Sequence, residues 1–110
     1  MYLEALARRF LAAYERKDIA TIAELFSQNV VLRDWNSEVV GYEAAIVEFT
    51  NNFRVADSLK IKVRRIMTNG NDVAAELEVV INGVETLRVV DVLTYSEDQK
   101  ILSIVAYKGL

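Results

Sequence analysis

The sequence predicts an α+β fold, with helices gathered ahead of a mostly antiparallel sheet. Three observations carry this. Apolar residues recur at helical spacing through much of residues 2–53, and they alternate with polar ones from residue 58 onward. Turn signals then punctuate the second half at Asn69-Gly70-Asn71-Asp72, Asn82-Gly83 and Glu97-Asp98-Gln99-Lys100. The predicted order is α-α-β-α-β-β-β-β.

Leu3, Leu6, Ala7, Phe10, Leu11 and Tyr14 place a first helix over residues 2–16, with Arg8, Arg9, Glu15 and Arg16 facing out. Asp18 is a good N-cap for a second helix over 19–27, whose apolar stripe is Ile19, Ile22, Ala23 and Phe26. Asn29 breaks the chain before a short strand, 30–35. Asn36-Ser37-Glu38 reads as loop, and Gly41 precedes a third helix over 42–53, which Asn52 and Arg54 cap.

Strand 58–68 alternates Leu59, Ile61, Val63, Arg65 and Met67 against Lys60, Lys62, Arg64 and Ile66. Strand 73–81 sets Val73, Ala75, Leu77, Val79 and Ile81 on one face and Glu76 and Glu78 on the other. A three-residue loop between them pairs Arg64 with Glu76 and Lys62 with Glu78, so the basic cluster becomes a solvated face. A two-residue turn at Asn82-Gly83 would set strand 84–95 with its apolar face against the charged one. A three-residue loop or a bulge near Val84 is therefore expected. The last strand is 101–108.

The chain has 110 residues, 53% hydrophobic and 26% charged, which suits one domain over 1–110. Its mean hydropathy of +0.16 is high for a small monomer and points to a ligand cavity or subunit interface. A net charge of −3 with no long basic run argues against nucleic acid as partner. No apolar run is long enough to span a membrane. The amphipathic N-terminus carries its charges mid-helix, unlike a signal peptide, so a cytoplasmic setting is expected. Cysteine and histidine are both absent. Disulfides, thiol chemistry, the usual neutral-pH base and most zinc or iron sites are excluded, and no metal or other cofactor is expected.

Two aspartates break the apolar pattern. Asp91 shares a strand face with Leu87, Val89, Leu93 and Tyr95, and Asp34 shares one with Val30 and Leu32. A carboxylate on an apolar face takes a partner, takes a proton or lines a cavity. Asp91 thus either lines a pocket or bonds a tyrosine, a backbone amide, Arg33 or Arg65. Asp34 either acts as a base or caps the loop at Asn36 and Ser37. Trp35, Tyr95 and Tyr107 read either as walls for a flat ligand or as core.

Several segments together resemble a known family. They are Phe10-Leu11-Ala12-Ala13, Lys17-Asp18-Ile19, Ile22-Ala23-Glu24-Leu25-Phe26, Val30-Val31-Leu32-Arg33-Asp34, Gly41-Tyr42-Glu43-Ala44-Ala45-Ile46, Val90-Asp91-Val92 and Lys100 through Gly109. In these the chain resembles the NTF2-like superfamily, in its ketosteroid isomerase and SnoaL-like branch. The resemblance implies a strongly curved sheet around a cone-shaped hydrophobic pocket, three helices closing it, and a homodimer. It also implies that Asp34 matches the proton-moving aspartate of the isomerases and Asp91 their protonated aspartate. Phe10 stands where those enzymes carry a tyrosine, which removes one of two oxyanion donors. Tyr14 lies one helical turn further on, and with Phe10 it joins the expected pocket lining. Arg88 falls on the face opposite Asp91, against the aspartate-bridging arginine of the epoxide-hydrolase branch.

Two kinds of function follow. One is carboxylate-driven proton transfer, of isomerase or polyketide-cyclase type, on a small apolar carbonyl compound, with Asp34 ionised and Asp91 protonated. The other is a non-catalytic module of the same fold that binds a small apolar molecule or serves dimerisation.

Overall fold

The computed structural model describes residues 2–109. Among these residues the order is α1 (Tyr2–Glu15), α2 (Ile19–Leu25), β1 (Phe26–Arg33), β2 (Glu38–Val40), α3 (Tyr42–Val55), β3 (Leu59–Asn69), β4 (Asp72–Ile81), β5 (Glu85–Tyr95) and β6 (Ile101–Lys108). The strands form one six-stranded sheet in the order β2-β1-β6-β5-β4-β3. Only the β1–β6 pairing is parallel; the rest are antiparallel. The sheet is curved and unclosed, and the helices pack on one face.

The predicted α+β class and helix order hold, with three differences. First, α2 ends at Leu25 and β1 begins at Phe26, not at residue 30. Phe26 pairs with Ile101 while Val31 pairs with Ser103, so the Asn29 break is an irregularity inside the strand. Second, residues 38–40 form β2 rather than loop, paired to β1 through Val31–Val40 and Arg33–Glu38. Gly41, at φ +102, then turns the chain into α3 in a region that favours glycine. Third, the turn between β3 and β4 has two residues, Gly70 and Asn71, rather than the expected three, and β3 carries a bulge between Val63 and Arg65. Lys62 pairs with Glu78 as expected, but Arg65 rather than Arg64 pairs with Glu76. The extra residue reverses the alternation beyond it. Ile66 packs toward the core and Met67 is 53% exposed.

The hairpin after β4 has the expected three-residue loop. Ile81 pairs with Glu85, and Asn82 and Gly83 both take positive φ. This register puts Asp91 opposite Ala75, on the apolar face.

The ends of α1 and α3 are tied together. Lys17 sits at φ +58 after α1, its N–H bonding the Tyr14 carbonyl at 3.0 Å while the Asp18 N–H reaches the Ala13 carbonyl at 2.8 Å. Its ammonium donates to the carbonyls of Ala56 and Asp57 at the C-terminal end of α3. The Asp18 side chain caps α2 by accepting from the Thr21 amide and hydroxyl, which holds its carboxyl below the usual range.

Val73, Ala75, Leu77 and Val79 of β4 meet Leu93 of β5 and Ile101 of β6 in the core, under Phe10, Leu11, Ile22, Phe49 and Phe53 of the helices. Each such large side chain contributes roughly 1.5–3 kcal/mol by leaving water. No helix among the described residues is long and apolar enough to cross a membrane.

Candidate functional site

A cavity of about 210 Å³ opens between the helices and the concave face of the sheet. Its walls are largely aliphatic, from Leu32 of β1, Ile61 of β3, Leu77 and Val79 of β4, Val89 of β5 and Ile104 of β6. Asp91 lies on this wall. Its cross-strand neighbours are Ala75 and Ala106, so small side chains on both sides leave space in front of its carboxyl. Burial pushes the Asp91 carboxyl up from the ordinary aspartate value to about 7. Near neutral pH the group is therefore divided between its acid and its carboxylate.

Tyr14 lines the same cavity from α1. Its ring lies 6.2 Å from Phe10, 5.6 Å from Phe49 and 5.3 Å from Phe53, which fixes the phenol's direction. Burial first, then the charges of Asp91 and Asp34, push its hydroxyl up to about 12. The phenol thus feels both carboxylates and stays a donor through the physiological range. Asp91, Tyr14 and Glu48 make no side-chain hydrogen bond or ion pair among the described residues. The structural bonds envisaged for Asp91 are not formed: Arg65 is paired with Glu76 at 2.6 Å on the other face, and Arg33 is exposed.

Asp34 follows the last residue of β1 and is exposed on the cavity rim. Its Oδ1 accepts the amides of Asn36 at 2.7 Å and Ser37 at 2.9 Å, so the loop-capping role is present. Its Oδ2 takes no bond among the described residues. Trp35 is 44% exposed beside it on the rim, with the Lys108 ammonium 5.7 Å from its ring centre. Phe10 is buried and forms part of the wall.

Tyr95 and Tyr107 lie outside the cavity. Tyr95 is 3% exposed in the core, and its hydroxyl has no partner among the described residues. Tyr107 is 60% exposed and lies beside Val90 on the outer face of the sheet. Sequence reasoning missed Phe49, Glu48 and Asn52, all of α3, which line the cavity. The backbone carbonyl of Asn52 does take part in ending α3, by accepting the Ala56 amide at 3.2 Å. No group of three or more His, Cys, Asp or Glu side chains among the described residues could hold a metal ion.

The sequence profile of the SnoaL-like domain matches residues 7–104, and the chain belongs to that family. Among solved structures, the fold is similar to a SnoaL-like protein of unknown function from Burkholderia thailandensis. That match has a TM-score of 0.88 at 11% identity, covering 99% of this chain and 95% of that one. It is also similar to a candidate ketosteroid isomerase from Kribbella flavida, with a TM-score of 0.85 at 17% identity, covering 98% and 78%. A third similar structure is an epoxide hydrolase from M. tuberculosis, with a TM-score of 0.81 at 18% identity, covering 96% and 80%. At these identities the likeness concerns the fold alone, an NTF2-like one; the reaction does not follow from it. No curated protein matches the sequence.

Proposed function

We propose that the cavity supports carboxylate-driven proton transfer, of isomerase or cyclase type, on a small apolar carbonyl compound. The carrying observation is that Asp34, Asp91 and Tyr14 line one cavity. In this reading Asp91 in its acid form donates a hydrogen bond to the carbonyl oxygen as negative charge develops there. Tyr14 supplies a second donor from one turn beyond Phe10. Asp34 offers its free Oδ2 to the proton alpha to the carbonyl. The volume, about 210 Å³, falls below the roughly 300–1,000 Å³ of common small-molecule pockets and favours a compact substrate.

The test is deuterium exchange alpha to the carbonyl, followed by NMR, across a panel of small enolisable ketones. The wild-type chain is expected to accelerate exchange, with Asp34→Asn and Asp91→Asn each losing roughly 100-fold or more. Exchange unaffected by both substitutions would contradict the reading.

A non-catalytic binding module is the second reading, favoured by the commitment of Asp34 Oδ1 to two loop amides. It predicts a co-purifying small molecule in native mass spectrometry and no accelerated exchange. Either reading includes a homodimer through the outer sheet face. There Met67, Ala74, Val92 and Val105 align across four strands, with Val90 and Tyr107 alongside. The Arg65–Glu76 and Arg64–Glu78 pairs, each at 2.6 Å, flank that apolar row. Sedimentation equilibrium at micromolar concentration should give twice the chain mass, and Val92→Lys should give a monomer.

A further inference from the structure

Helix α3 carries a part-buried carboxylate, Glu48, beside its buried stripe. Its buried side chains are Ala45, Phe49 and Phe53. Glu48 stands three positions after Ala45, and Asn52 three after Phe49, so both fall beside that stripe. Glu48 is part-buried on the cavity wall. A carboxylate that loses water without gaining a donor is costly, and a ligand that brings a donor removes the cost.

The charge of the lining points to the kind of donor. Among the described residues that line the cavity, Asp34 and Glu48, with Asp91 ionised in part, face a single guanidinium, that of Arg33, which is exposed at the end of β1. An anionic ligand would meet an excess of like charge in a poorly solvated space. Among the described residues the carboxylates do not gather into a metal-type cluster, which favours a charge carried on an organic body over a bare metal ion. Tyr14 and Phe49 also line the cavity, and aromatic rings attract a cation placed over their faces.

We infer that the cavity takes a small organic cation, a protonated amine on an apolar body about one ring in size, with Glu48 accepting from the ammonium. This rests on the same cavity and narrows the compact carbonyl substrate of the proton-transfer reading to one whose apolar body bears an ammonium, and it is read by binding alone. A protein without turnover can still satisfy it.

The test is calorimetric titration at neutral pH with benzylammonium, benzyl alcohol and benzoate, which share a ring and differ in charge. Benzylammonium is expected to bind roughly tenfold tighter than benzyl alcohol, with benzoate the weakest. Glu48→Gln should remove that advantage while leaving benzyl alcohol within about twofold. Glu43→Gln makes the same charge change at an exposed position of α3 and should leave all three affinities unchanged. Four results would each overturn the inference: no benzylammonium binding at millimolar concentration, benzoate binding as tightly, an unaltered preference in Glu48→Gln, or an equal loss in Glu43→Gln.

Discussion

Asp91 shows how one residue can be legible in a sequence while its environment is not. Strand alternation set it on the face of Val89 and Leu93, and both of those are buried. What the alternation could not show was Ala75 and Ala106 on either side, because they belong to other strands. The raised value has a consequence for stability. Between the ordinary aspartate value and about 7, the folded chain holds a proton that the unfolded chain has released. Stability therefore falls as pH rises from about 4 to about 7, by up to about 1.4 kcal/mol per pH unit, and levels off above. Asp91→Asn should abolish that decline, as measured by urea unfolding across the range. Asp18 and Glu76, held low by Thr21 and Arg65 respectively, act oppositely: their contribution is lost as pH falls below the ordinary carboxylate range. Both are unchanged in the variant, so their effect cancels from the comparison. An identical pH profile for the two proteins would contradict the burial argument.

Among the elements, agreement was good where one strong local signal decided the outcome. At Asn82-Gly83 the need to set apolar face against apolar face called for a three-residue loop or a bulge near Val84, and the three-residue loop is there. Disagreement came where neighbours were chemically alike. In Val63-Arg64-Arg65-Ile66 either arginine can face water, so alternation alone could not locate the bulge. Glu48 was missed because a charged residue on a helix normally marks its solvated side, and Asn52 was read as a cap of the helix. Their spacing from Ala45 and Phe49 was the available signal. The pairing of β5 with β6 yields a prediction of its own. Ala106 lines the cavity beside Asp91, and a larger side chain there would occupy the space. Ala106→Leu should weaken benzyl alcohol binding by roughly tenfold or more in ligand-observed NMR, with the circular dichroism spectrum unchanged. Unaltered binding would mean that ligands enter elsewhere.

For the whole molecule, the α+β class and the family resemblance were readable because patterning and turn chemistry agree along nearly the whole chain. The site was readable only in part. Asp34, Asp91, Phe10, Tyr14 and Trp35 line the cavity, whereas Tyr95 fills the core and Tyr107 lies outside. Tyr95 shares the face of Asp91 but lies further along β5, a distance that period-two alternation does not encode, and Tyr107 lies on the outer face, opposite that of Ala106 and Ile104. At the centre of the cavity wall is a carboxyl group, that of Asp91, which burial between small neighbours holds in poorly solvated space, poised to give or keep a proton. The most direct test is a carbon-13 NMR titration of the Asp91 side-chain carboxyl in the folded protein. The account predicts a midpoint near 7; a midpoint near 4, the ordinary aspartate value, would contradict it.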